Sequence, residues 1–196
     1  MEPQPTLAAI LARRSISPKR LGLPAPTEAD LLRMVEAAVT APDHGGLAPW
    51  RFVHIAEEAR PTLAATFAAA RQDEDRDATA ADLERERDKA LRGPCLVALV
   101  ARLSTTPDIP KSEQYVSVGA AAEAFMLAAE ALGYGAILLS GRRVHTPRVR
   151  AALGLATDES LIGFFTLGRP TEAARPKPRP AATDHFSIWR GPRPHA

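Results

Sequence analysis

Apolar residues recur at helical spacing over residues 6–14, where Leu7, Ile10 and Leu11 share a face and the run closes on Arg13, Arg14 and Ser15. A short helix is expected there, delivering two cations to a loop. After a proline-rich turn at 23–26, Thr27 with Asp30 three positions on signals an N-cap. The helix that follows has Leu31, Leu32, Val35, Ala38 and Val39 as its apolar face. It should stop at Ala41-Pro42-Asp43-His44-Gly45-Gly46, because a residue before proline avoids helical geometry and glycines follow. Residues 50–55 alternate large apolar with polar side chains, as in a strand with one buried face. An alanine-rich amphipathic helix is predicted over 61–71. Residues 72–92 are dense in charge and read as a solvated, mobile helix or lid.

Pro94 ends that stretch, and Cys-Leu-Val-Ala-Leu-Val at 95–100 is a continuous apolar run suited to a central strand covered on both faces. Residues 113–132 have helical period and many small side chains, among them Gly119, Ala120, Ala121 and Ala124. Such a helix either packs on the sheet or crosses its twin in a dimer; both bury it. Gly133-Tyr134-Gly135 caps it, a short strand follows at 136–139, and Ser140-Gly141 forms a strand-to-turn junction. A brief helix is expected at 148–153 and a buried strand at 161–167, closing at Gly168-Arg169-Pro170. Beyond 170 the chain is proline-rich and basic, yet Phe186, Ile188 and Trp189 need cover. Disorder and an arm on another subunit are the alternatives, and the arm is favoured. The expected organisation is one domain over 1–196, with 72–92 as the lid and 170–196 as the C-terminal arm.

At 196 residues and 45% hydrophobic content the chain can bury a substantial core. One cysteine, Cys95, permits no internal disulfide, and no secretory leader pattern opens the chain, so a cytoplasmic protein is expected. The apolar stretch 116–139 is broken by Glu123 and Glu130, which makes a poor membrane span. A formal charge of +2, spread along the chain, argues for neither nucleic acid nor membrane as partner.

Metal-ligand spacings, a nucleophile elbow, a Walker loop and a GxGxxG turn are all missing, so a catalytic role would be carried by a cofactor or by dispersed groups, and no metal is expected. Arg13-Arg14-Ser15 offers guanidinium forks and a hydroxyl suited to a phosphate. Followed by Ala-Pro-Asp-His at 41–44 and Pro-Trp-x-Phe at 49–52, it resembles the nitroreductase family, in particular its small single-domain branch. Gly93-Pro94, Ala-Leu-Gly-Tyr-Gly at 131–135, Leu-Leu-Ser-Gly at 138–141 and Gly-Phe-Phe-Thr-Leu-Gly at 163–168 extend the resemblance over nearly the whole chain.

The resemblance implies an α+β fold, a central, mostly antiparallel sheet flanked by helices, in an intertwined homodimer. It further implies an FMN-dependent oxidoreductase that passes hydride from NADH or NADPH through the flavin to nitroaromatics or quinones, in a ping-pong cycle. Arg13, Arg14 and Ser15 would hold the FMN phosphate and ribityl chain. Leu138, Leu139, Ser140 and Gly141 would line the isoalloxazine with backbone groups, Ser140 and Gly141 nearest its reactive N5. Thr40 and His44 would reach the flavin bound mainly by the other subunit. No protein acid or base is obligatory, because the flavin carries the chemistry. The branch often has arginine where Thr40 and Leu139 stand, and Arg142, Arg143 or Arg169 are candidates to replace that charge. The competing readings are a flavin-binding protein without efficient turnover, and a basic interaction module using Arg175, Lys177, Arg179, Arg190 and Arg193.

Overall fold

The structure, a computed structural model, describes residues 4–105, 108–173 and 178–191. Its core is organised by strand β3 (Cys95–Arg102), whose continuous apolar run has a use for every position. Side chains on a strand alternate between faces. Cys95, Val97, Leu99 and Ala101 therefore enter one core while Leu96, Ala98 and Val100 enter a second on the opposite face. The expectation of a strand covered on both sides holds.

β3 pairs antiparallel with β2 (Trp50–His54) on one edge and with β5 (Glu159–Pro170) on the other. β5 also pairs antiparallel with β4 (Gly135–Leu139) and, at its end, with the two-residue β1 (Leu21–Gly22). A bulge at Leu99/Val100 shifts the β3–β5 register; ahead of it Phe165, opposite Val97, joins the first core and Phe164, opposite Ala98, the second.

Helices α2 (Glu28–Ala38) and α5 (Lys111–Ala131) cover the first face. Phe125 of α5 stacks between Phe52, at 5.0 Å between ring centroids, and Phe165, at 4.6 Å. Helices α3 (Arg60–Glu74), α4 (Ala80–Leu91) and α6 (Pro147–Ala152) lie on the second face. The result is the α+β arrangement that the resemblance implies. α2 begins in a full capping box: the Thr27 hydroxyl accepts from the Asp30 N–H, and the Asp30 carboxylate accepts from the Thr27 N–H. That carboxylate also takes the Tyr134 hydroxyl at 2.8 Å. The Thr27 hydroxyl first, and Tyr134 second, hold the Asp30 carboxyl below its ordinary range.

In three places the structure is more specific than the sequence pattern. Residues 72–92 are not one excursion: α3 runs on to Glu74, a turn follows, and α4 starts afresh at its own Thr79/Asp82 capping box. In α2 the buried positions are Leu31, Met34 and Ala38, while Leu32 and Val39 face out of the chain. Helix α1 (Pro5–Ala12) buries nothing: Leu7, Ile10 and Leu11 are all exposed. The helical period was right in both helices, but the period alone does not say which chain covers the apolar stripe.

Beneath the second core the Glu159 carboxylate, only 7% exposed, accepts two hydrogen bonds at 2.8 Å from the Arg51 guanidinium and one from the Ala156 N–H. Arg51 above all holds this carboxyl below its ordinary value of 4.5. A carboxyl with a depressed folded pKa adds stability that is complete above the unfolded value and is lost as pH falls through the folded one. Glu159→Gln is thus expected to destabilise the protein by about 1–3 kcal/mol at neutral pH. Urea denaturation should show the gap to wild type narrowing on acidification below 4.5; a gap constant with pH would contradict the assignment.

Candidate functional site

The end of α1 and the start of β4 are tied together by backbone. Ser15 bridges Ala136 in parallel, and the Ile16 N–H donates to the Ala136 carbonyl at 3.0 Å. The Arg13–Ser15 corner is thereby fixed beside the strand that carries Leu138 and Leu139 and leads into Ser140 and Gly141. A crevice of about 190 Å³ opens at this corner between Arg13, Arg14, Ile16, Met126 and Tyr134.

Arg13 is 15% exposed and pairs through Nε with Glu123 of α5 at 2.7 Å. Its Nη1 is buried with no hydrogen-bond partner. An unpaired buried guanidinium nitrogen is costly, and an arriving anion would satisfy it. Arg14 is partly engaged within the chain. Its Nη1 folds back on the carbonyls of Leu11, Ala12 and Arg13 at 2.7, 3.0 and 2.8 Å, where it closes the C-terminal end of α1. A third guanidinium arrives from the tail, with Arg179 Nη2 donating to the Arg13 carbonyl at 2.8 Å. Of the other tail cations, Arg175, Lys177 and Arg193 lie outside the described residues.

Beyond β4 the chain turns at Gly141, whose φ of +122° suits glycine far better than other residues. Gly163 serves the same region by its lack of a side chain, since a Cβ there would sit 2.6 Å from the Leu139 carbonyl oxygen. A pocket of about 630 Å³ lies between this turn and the α3–α4 hairpin. Leu139, Ser140 and Gly141 form one wall, and Phe67, Arg71, Lys89 and Arg92 stand across from them. This volume falls in the range of small-molecule and cofactor sites.

The α4 wall is held by Arg60, which is buried and donates to the carbonyls of Ala90, Gly93 and Arg92 at 2.9, 2.8 and 3.0 Å. Burial lowers its pKa from the ordinary arginine value. Lys89 pairs with Glu86, and Arg92 with Asp88 at 3.0 Å. None of these pocket residues was singled out from sequence. They fall in stretches that look like solvated helix, and the only signal was Lys89 and Arg92 spaced three apart in a last helical turn before Gly93-Pro94.

Two expected site residues stand elsewhere in the chain. Thr40 donates to the Ala37 carbonyl at 2.8 Å past the end of α2, and His44 Nδ1 meets Glu113 Oε2 at 2.8 Å with its side chain 67% exposed. Glu113 lies near the start of α5 and Glu123, the partner of Arg13, near its middle. That is roughly 15 Å along the axis at 1.5 Å per residue. One chain unites Arg13–Ser15 with Leu138–Gly141 but does not bring Thr40 or His44 to them. Arg169, a candidate substitute cation, is committed: it donates to the Leu132 carbonyl at 3.0 Å and lies 4.0 Å over the Tyr134 ring.

A model of the nitroreductase family matches residues 10–169. The chain belongs to the nitroreductase family. Among proteins similar to this family member is the "Putative NAD(P)H nitroreductase YdjA" of Escherichia coli K12, 34% identical over 185 residues, covering 90% of this chain and 97% of the relative. The crystal structure of a nitroreductase-like family protein from Bacillus cereus superimposes with a TM-score of 0.82 at 23% identity, over 97% of this chain and 100% of that one. A mutant of NfnB, an FMN and NADPH-dependent nitroreductase from a sphigopyxis strain, gives 0.75 at 20% identity, over 96% and 100%. These two solved structures share the fold. Family membership makes the chain an oxidoreductase, and no helix among the described residues is long and apolar enough to cross a membrane.

Proposed function

We propose that this chain is one subunit of a cytoplasmic homodimeric enzyme that binds FMN and passes hydride from NADH or NADPH to small aromatic acceptors, nitroaromatics or quinones, in a ping-pong cycle. The observation that carries the reading is the backbone bridge joining the Arg13–Ser15 corner, with its orphaned buried Nη1, to the strand leading into Ser140 and Gly141. Arg13, Ser15 and Arg179 offer donors to a phosphate, and the pocket beyond β4 offers a slot for a flat ring. Bound there, FMN supplies the hydride-accepting and hydride-donating chemistry.

The chain's own groups orient and stabilise. Backbone at Ser140 and Gly141 would meet the ring's reactive edge, and Lys89 and Arg92, offset in part by Glu86 and Asp88, would add positive potential there. The α3–α4 hairpin limits the access of water and acts as the lid. A second copy accounts for the uncovered apolar residues of α1, for Leu32 and Val39 of α2, and for Tyr115 and Val116 of α5. It would also bring its Thr40 and His44 to the ring and give the exposed Phe186, Ile188 and Trp189 of the arm a surface to cover.

Purified protein should be yellow, should release FMN rather than FAD on denaturation, and should lose its flavin absorption when NADH or NADPH is added without oxygen. Thr40 and Leu139, standing where the branch often has arginine, favour a second reading, a flavin carrier with little turnover. Protein that holds FMN but fails to bleach selects that reading, and colourless protein that ignores added FMN refutes both.

A further inference from the structure

The pocket beside Ser140 carries more positive charge than a ring needs. Its lining holds Arg71, Lys89, Arg92, Arg142 and Arg143 against two carboxylates, Glu74 and Glu86. Glu86 already serves Lys89 and lies 4.0 Å from Arg143. Arg71 and Arg92 are balanced by Asp75 and Asp88 of their own helices. Arg142, the first residue after the Gly141 turn, is exposed and has no hydrogen-bond or ion-pair partner among the described residues. Its neighbour Arg143 is 12% exposed and lies 5.2 Å over the Phe67 ring, with its Nε buried and unpartnered.

Two consecutive arginines thus follow the residues that would meet the ring's reactive edge, one free at the mouth and one incompletely satisfied inside. In the flavin reading the phosphate goes to the Arg13 crevice, which Arg142 does not line, so Arg142 is left uncommitted in the pocket beside Ser140. Guanidinium meets carboxylate through two parallel hydrogen bonds, a geometry that lysine and neutral donors do not reproduce.

We infer that this wall, led by Arg142, is an anion-recognition site that selects aromatic acceptors bearing a carboxylate. The inference rests on the flavin reading above and names its substrate class. In the reaction the nitro group takes up a hydride originating from NAD(P)H and one proton from solvent, one N–O bond breaks, and that oxygen leaves as water: ArNO2 + NAD(P)H + H+ gives ArNO + NAD(P)+ + H2O. Arg142 takes no part in the electron transfer; it holds the carboxylate so that the nitro end points to the ring.

The test compares kcat/KM for 4-nitrobenzoate and for its neutral analogue 4-nitrobenzamide on the same FMN-loaded protein, so that flavin content cancels in the ratio. Wild type is expected to favour the benzoate by about tenfold, mainly through KM, with the ratio falling as salt is raised. Arg142→Gln should bring the ratio close to one, and Arg142→Lys should restore part of it. Equal use of both compounds by wild type, or a preference unchanged in Arg142→Gln, would overturn the inference while leaving the reductase reading intact. So would a rise in KM for NAD(P)H alone in that variant, which would assign the arginine to the donor's phosphates. Failure to reduce either compound, in protein whose flavin NAD(P)H does not bleach, refutes both readings together.

Discussion

Arg13→Ala is expected to weaken FMN binding by roughly 10- to 150-fold, since a hydrogen bond between charged groups contributes about 1.5–3 kcal/mol. Riboflavin, which has the ring and ribityl chain but no phosphate, should lose far less. The difference follows from the position of the guanidinium: Nε is committed to Glu123, and the buried Nη1 is the atom still in need of an acceptor. Arg13→Lys keeps the charge without the fork and should fall between the two. Fluorescence titrations with both flavins measure the effect. Equal losses for FMN and riboflavin would mean that Arg13 only shapes the crevice and does not meet the phosphate.

Arg60→Leu is expected to destabilise the protein by about 3 kcal/mol or more, because it strips three carbonyls of their donor at once. The same carbonyls fix the end of α4, so Lys89 and Arg92 should drift from the pocket and FMN affinity should fall with stability. Arg60→Lys, which preserves the charge but not three simultaneous bonds, should fold with an intermediate loss and allow both quantities to be read. The denaturant midpoint checks the first and a flavin titration the second. A normal midpoint in either variant would contradict the clamp.

The elements that were legible in the sequence are those specified by neighbours along the chain. The 95–100 run is typical of a strand with two cores to fill, and Thr27/Asp30 encodes a capping box within four residues. Gly133 ends α5 with a φ of +79°, as the Gly-Tyr-Gly motif suggested. The Arg13–Ser15 corner and the Ser140–Gly141 turn were also visible, as ordered motifs. What escaped was everything made by docking distant segments. Phe67, Arg71, Lys89 and Arg92 become pocket residues only because the α3–α4 hairpin lies against the Gly141 turn, which is distant in sequence, and charge on a helix looks the same whether it faces water or a cavity. Arg13 and Glu123 meet across more than half the chain, and no local pattern announces the pair. The apolar stripes of α1 and α2 were read correctly as stripes, but the surface proposed to cover Leu7, Ile10 and Leu32 belongs to a second copy.

A crystal structure grown with FMN tests the shared site most directly. The expected result is a phosphate within hydrogen-bonding reach of Arg13 and Ser15, a ring against Ser140 and Gly141, and Thr40 and His44 of a second copy closing over it. Flavin bound elsewhere, or a paired structure in which the Arg13 corner faces open solvent, would contradict it.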